Sequence, residues 1–152
     1  MERKYVMILH RDLWEKGIKR ELGFWWYWLK INHEEFNKNL PLRSYFDFMI
    51  GDKKKVDIAD VGSGALVTIG NLKEGVKVNI FPSDILVDEY KKFWIDFGIV
   101  PMILIEKQSM ESLEYADNCF DIVHCSNALD HCCDPFSSIR ELVRICKPGG
   151  WV

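Results

Sequence analysis

Apolar and polar positions alternate in two distinct rhythms along the chain, and the change comes at Val56. Before it, RDLWEKGIKRELGFWWYWLK carries strong helix formers, and PLRSYFDFMIG places Leu42, Tyr45, Phe46 and Met49 on one stripe between Pro41 and Gly51, a helix start and stop. After it come short, nearly continuous apolar runs, the form taken by strands covered on both faces. They predict strands at 56–61 (VDIADV), 76–81 (VKVNIF), 102–107 (MILIEK) and 120–126 (FDIVHCS). Helical patterns fill the gaps. ILVDEYKKFWIDFG spaces Leu86, Tyr90, Phe93, Trp94 and Phe97 along one face and stops on Gly98. Asp134 caps a last helix, with Pro135 at its first position and Phe136, Ile139, Val143 and Cys146 as its expected buried stripe. Alternating strands and helices predict an α/β domain with a parallel sheet over 53–152, preceded by a helical cap over 1–52.

At 152 residues the chain is one domain by length and long enough to bury a core. Hydrophobic residues make up 48% and charged residues 28%, a globular mixture. A net charge of -3 and a pI near 5.8 offer no long-range attraction to phosphate backbones, and the basic run Lys53-Lys54-Lys55 reads as a solvated loop, so no nucleic-acid partner is expected. MERKYVMILHRD is too short in apolar length for a signal peptide or a membrane span, which predicts a cytoplasmic protein. The five cysteines are an odd number with no C-x-x-C pair and are expected as reduced thiols.

Chemistry concentrates in DIADVGSGALVTIG. Gly62 and Gly64 follow a strand and precede an expected helix, where missing side chains let the backbone turn and its N–H groups approach a ligand. Asp84 ends the second strand 20 residues after Gly64, where a carboxylate can accept from both hydroxyls of a ribose. The bland alternative is an ordinary strand-to-helix turn and a helix-capping Asp84. A dinucleotide fingerprint needs a third glycine where Val67 stands, which disfavours NAD.

These residues resemble the first motif of class I S-adenosylmethionine-dependent methyltransferases, an acid, a spacer and G-x-G, met here by Asp60, Val61, Gly62, Ser63 and Gly64. DILVDEY resembles the second motif, QSMESLEYADNCFDIVHCSNALDHCCDP the run from the adenine loop through the fourth strand, and KPGG the turn before the fifth, so the resemblance covers about 56–152. It implies a Rossmann-like sheet and S-adenosyl-L-methionine as cofactor, held by Asp60, Gly62, Ser63, Gly64 and Asp84. The adenine loop would be Ser109, Met110 and Glu111, with Ser109 where an acid is common. Cys125, Ser126 and Asn127 would line the cofactor after strand four.

Methyl transfer asks the protein for alignment and for a route for the acceptor's proton. His131, with Asp130 beside it, suits the second task; a histidine that only hydrogen-bonds its loop is the equal alternative. His124, His131, Cys132 and Cys133 do not form a recognised metal spacing, and no metal is expected. Trp25, Trp26, Tyr27 and Trp28 are read as packing first and as a lid over the pocket second. The absence of an Asn/Asp-Pro-Pro-aromatic signature, with the acidic charge, favours a small-molecule or sugar acceptor; methylation is expected at oxygen, although spacing does not show the atom. The DILVDEY and SNALDH pair resembles methyltransferases of bacterial surface-polysaccharide pathways. KPGGWV reads as the entrance to a fifth strand, so the sheet is expected to stop short of strands five to seven. That leaves strand four as an open edge, and predicts a missing C-terminal half or self-association. A cofactor-binding module without activity of its own is the alternative function.

Overall fold

The computed structural model describes residues 2–36 and 38–152, with side chains from Trp14 onward except Glu35; Met1 and Asn37, both within the expected cap, lie outside the described residues. One helix, α1 (Glu2–Phe36), runs through Gly17 and Gly23 and carries the aromatic cluster. A short α2 (Phe46–Ile50) follows, with Phe46 and Ile50 buried. Then come β1 (Lys55–Val61), β2 (Lys77–Ser83), α3 (Val87–Phe97), β3 (Phe120–His124), a 3-10 turn (Leu129–His131), α4 (Pro135–Ile145) and β4 (Cys146–Trp151). The strands form one parallel sheet in the order β2-β1-β3-β4. This is the expected Rossmann-like arrangement, with the buried faces of β1 built from Val56, Ile58, Ala59 and Val61.

Both expected helix signals after the glycine loop hold. Gly98 ends α3 in the left-handed conformation, φ +64°, and Asp134 caps α4 by accepting from the N–H groups of Phe136 and Ser137 at 3.1 Å each. The buried side of α4 differs from expectation. Ser138, Leu142 and Ile145 face the sheet, while Phe136, Ile139 and Val143 are exposed; of the expected stripe only Cys146 is buried, and it belongs to β4. The two stripes lie side by side at the same helical spacing, so periodicity alone cannot choose between them.

The expected helix after Gly64 does not form. Its carbonyls are committed elsewhere: Ala65 O accepts from Trp94 Nε1 (2.9 Å), Thr68 O from Arg43 Nε (3.2 Å) and Ile69 O from Arg43 N (2.9 Å). A helix would need those acceptors for its own N–H groups. The space is taken by α1, whose buried Trp25 and Leu29 share a core with Ala65, Leu66, Leu86, Val87, Tyr90 and Trp94.

The expected strand at 102–107 shrinks to one parallel bridge, Ser83↔Glu106, with Asp84 N donating to Glu106 O and Glu106 N to Pro82 O, both 2.9 Å. Met102 and Leu104 are exposed and only Ile105 is buried, so one face has nothing to pack on and the ladder does not extend. At the other side, Cys146–Trp151 pairs with β3 through Phe120↔Cys146 and Ile122↔Trp151, with an irregularity between. The expected open edge at Phe120–Ser126 is therefore covered, and β4 is the outermost strand on this side among the described residues. Among the described residues no helix is long and apolar enough to cross a membrane.

Candidate functional site

A cleft of about 830 Å³ opens at the C-terminal ends of β1, β2 and β3, with α1 laid along one side. Open α/β sheets place ligands here because strand ends and the loops beyond them leave a crevice lined by free backbone groups. Gly62 and Gly64 enter it with φ of +70° and +73°. A Cβ at Gly62 would collide with the side chain of Ala128, and one at Gly64 with the Trp25 ring. Both glycines are therefore required by conformation and by close approach together.

Asp84 sits where β2 ends. Its Oδ2 accepts from Gly64 N (2.9 Å) and its Oδ1 from Leu86 N (2.8 Å), so the carboxylate ties the glycine loop to the start of α3. Burial pushes its carboxyl above the ordinary range, against the two amide bonds, and the charges of Glu21 and Asp60 add to the rise. Ser63 lines the cleft, and its buried hydroxyl has no hydrogen-bond partner among the described residues. An orphaned buried hydroxyl is costly and is the kind of group a bound ligand satisfies.

The opposite wall is Ser109, Met110 and Glu111. Ser109 Oγ accepts from Glu111 N (3.3 Å), and Glu111 Oε1 accepts from Cys133 N (2.6 Å) and Asp134 N (3.1 Å), which holds the approach to α4. Ser126 and Asn127 close the end, with Asn127 at φ +54°. His131 lines the cleft from the 3-10 turn, with Nδ1 3.5 Å from Glu21 Oε2 and Nε2 3.4 Å from Asp130 Oδ2.

Of the residues singled out in the sequence, Asp60, Gly62, Ser63, Gly64, Asp84, Ser109, Met110, Glu111, Ser126, Asn127 and His131 share this lining. Cys125 and Asp130 do not. Cys125 lies behind Met110, its thiol 3.8 Å from Sδ and pushed up to about 12 by burial, while Asp130 points to solvent. Among the described residues no group of His, Cys, Asp and Glu could hold a metal ion.

Three charged or titratable cleft groups were given no role here from the sequence. Glu21 reaches in from α1, where it also accepts from Trp25 Nε1 at 2.7 Å. His124 donates from Nδ1 to Asp60 Oδ1 at 2.8 Å, and Arg43 lies on the same wall. The Asp60↔His124 pairing comes from the register of two neighbouring parallel strands, a signal present in the order of strands; nothing local marks Glu21.

Residues 59–152 match the family described as "Methyltransferase domain". An uncharacterized methyltransferase of Schizosaccharomyces pombe is 34% identical over 115 residues, covering 69% of this chain and 41% of its own length. A ubiquinone biosynthesis O-methyltransferase of Nitrosomonas europaea is 31% identical over 118 residues, covering 74% and 48%. The chain thus spans less than half the length of either relative. In fold it is similar to the crystal structure of a candidate S-adenosyl-L-methionine-dependent methyltransferase from Methanococcus maripaludis. The TM-score is 0.53 and the identity 23%, over 70% of this chain and 49% of that one.

Proposed function

The chain belongs to the methyltransferase domain family, and from that premise we propose that it serves S-adenosyl-L-methionine-dependent methyl transfer to a hydroxyl of a small molecule or sugar in the cytosol. The observation that carries the reading is the strand-end cleft, in which two glycines that tolerate no side chain, an orphaned Ser63 hydroxyl and the Asp84 carboxylate converge opposite Ser109–Glu111. When bound, the cofactor supplies a methyl group on a sulfonium, open to in-line attack. The protein's part is to hold and align. Asp84 keeps acceptor capacity on both oxygens for the two ribose hydroxyls, since each oxygen carries two lone pairs and each now takes one amide. The glycine loop and Ser63 receive the methionine part, Ser109 and the Met110 side chain the adenine, and Ser126 and Asn127 line the far end. Residues 1–52 cap the site over the 53–152 domain. His131, with Asp130 beside it, is a route for the acceptor's proton. Surface-polysaccharide acceptors are the narrower form of this reading and rest on the motif resemblance.

Calorimetry with S-adenosylhomocysteine, S-adenosylmethionine and NAD tests the cofactor directly: the first two bind and NAD does not. His131→Ala is expected to slow transfer more than it weakens cofactor binding; equal rates remove the proton role. A second reading, a cofactor-binding module whose transfer depends on a partner or a further segment, is favoured by one fact, the chain's span of less than half its relatives' length. Tight cofactor binding with no turnover supports it.

A further inference from the structure

Two imidazoles line the cleft, and they are held differently. His131 has a carboxylate near each ring nitrogen, Glu21 at 3.5 Å and Asp130 at 3.4 Å. His124 has a carboxylate on one side only. Asp60 is 3% exposed, and its Oδ1 lies 2.8 Å from Nδ1, so Nδ1 is the donor to the carboxylate and the neutral ring has its lone pair on Nε2. The other partner is a phenol: Tyr45 OH stands 3.3 Å from Nε2 and donates to it. Burial, and after it the Asp60 charge, raise the Tyr45 phenol above its ordinary range against the pull of Arg43, so it stays a donor at neutral pH. The Tyr45 and Phe46 rings, 4.5 Å apart, pack together beside the imidazole at 6.0 and 5.6 Å. Asp60 and His124 are register partners on neighbouring strands, so the pair is built into the sheet rather than into a mobile loop.

The wall that α1 contributes has a different character. Its lining side chains are Trp14, Ile18, Phe24, Trp25, Trp28 and Phe36, and Glu21 is the one carboxylate among the described residues that line it, already bonded to Trp25 Nε1. A sugar needs hydrogen-bonding groups around its rim; a flat apolar ring needs this kind of surface.

We infer that Asp60 and His124 form a proton-accepting pair for an aromatic hydroxyl acceptor, with Tyr45 holding the place of that hydroxyl until it arrives. The inference rests on the methyltransferase reading and narrows its acceptor to the apolar small-molecule class. As the acceptor oxygen forms its bond to the methyl carbon, the carbon–sulfur bond breaks, its electron pair goes to sulfur and neutralises the sulfonium, and the hydroxyl proton passes to His124 Nε2. The imidazolium is held by the Asp60 carboxylate. The weak 3.3 Å contact to Tyr45 is the one displaced.

The probe is 4-nitrophenol, whose phenolate is coloured. The full chain, saturated with S-adenosylhomocysteine, is titrated with it in a buffer below the probe's own pKa, and bound phenolate is read by absorbance. We expect a phenolate signal in the native chain that falls roughly tenfold in His124→Gln, the factor carried by one pKa unit. It grows in Tyr45→Phe, which removes the competing phenol, and falls less in His131→Gln. Methyl glucoside does not displace the probe. Calorimetry with S-adenosylhomocysteine on each variant reports folding and keeps the two readings apart: no cofactor binding by the native chain sinks the methyltransferase reading. Cofactor binding without a phenolate signal, a signal that survives His124→Gln, or displacement by the sugar overturns this one.

Discussion

At Asp84 the proposed function asks one carboxylate for two tasks whose electrostatic demands conflict. Burial raises its pKa, while ribose hydroxyls bind the ionised form. Cofactor binding should therefore weaken as pH falls through the raised Asp84 pKa, starting at a less acidic pH than an ordinary aspartate would give, and binding near that pH should release a proton. Calorimetry in buffers of different ionisation enthalpy checks both. The same group makes the folded chain slightly more stable below the unfolded aspartate pKa, and that contribution is lost as pH rises through the folded value. Asp84→Ala is expected to lose about 1.5–3 kcal/mol of cofactor binding, the range for hydrogen bonds to a charged partner; an unchanged dissociation constant would count against the ribose role. Asp84 and the glycines were legible in the sequence because their chemistry is local, set by their place at the end of a strand. His124 was not singled out as a proton acceptor, since its meaning comes from Asp60 and Tyr45, 64 and 79 residues away.

Between elements, the contact of α1 with the glycine loop decides the shape of the cleft. Trp25 is 8% exposed, packs its ring at Gly64 and meets Tyr90 edge-on at 6.1 Å. Trp25→Ala should cost about 3–5 kcal/mol, the range for emptying a buried aromatic site. Gly64→Ala adds a methyl where the ring lies and forces an alanine to φ +73°, a strain of about 1–3 kcal/mol by itself. Because the collision disappears once the ring is gone, the double variant should lose less than the sum of the two. Denaturant titrations of all four proteins measure the coupling, and strict additivity would deny the contact. A second joint lies at Arg144, which donates to Glu141, Asp117 and the carbonyls of Leu113 and Tyr115 at 2.7–2.8 Å, clamping the segment before β3 to α4. Arg144→Lys cannot reproduce this fork and should lower stability by about 1–3 kcal/mol, with faster amide exchange at 113–117 than elsewhere. Helix caps and stops in this region were readable from Asp134, Pro135 and Gly98. The missing helix after Gly64 was not, because its carbonyls are taken by Trp94 and Arg43, and residues 65–70 themselves give no sign of that.

At the scale of the whole sheet, β4 is the outermost strand on its side among the described residues, with exposed Trp151 packed edge-on against exposed Phe48 at 5.3 Å. Unpaired strand edges and exposed apolar groups favour pairing. Self-association is accordingly expected: light scattering should show apparent mass rising with concentration, and Trp151→Lys should lower it without changing the fold. A native chain that stays monomeric across the series contradicts this. The sequence by itself determined the parallel α/β class, the first two strands to within two residues at either end, the caps of the last two helices and the placing of the glycine loop, Asp84 and Ser109–Glu111 in the cleft. Those features depend on neighbours within one turn or one strand, so the order of residue types is enough to specify them. Tertiary structure alone decided that α1 takes the place of the helix after Gly64. It also turned Leu142 and Ile145 inward rather than Ile139 and Val143, reduced 102–107 to a single bridge, and seated Glu21 and His124 in the cleft. Each of these outcomes is settled by competition between distant segments for the same carbonyls, the same buried face or the same space, and no local pattern records which segment wins.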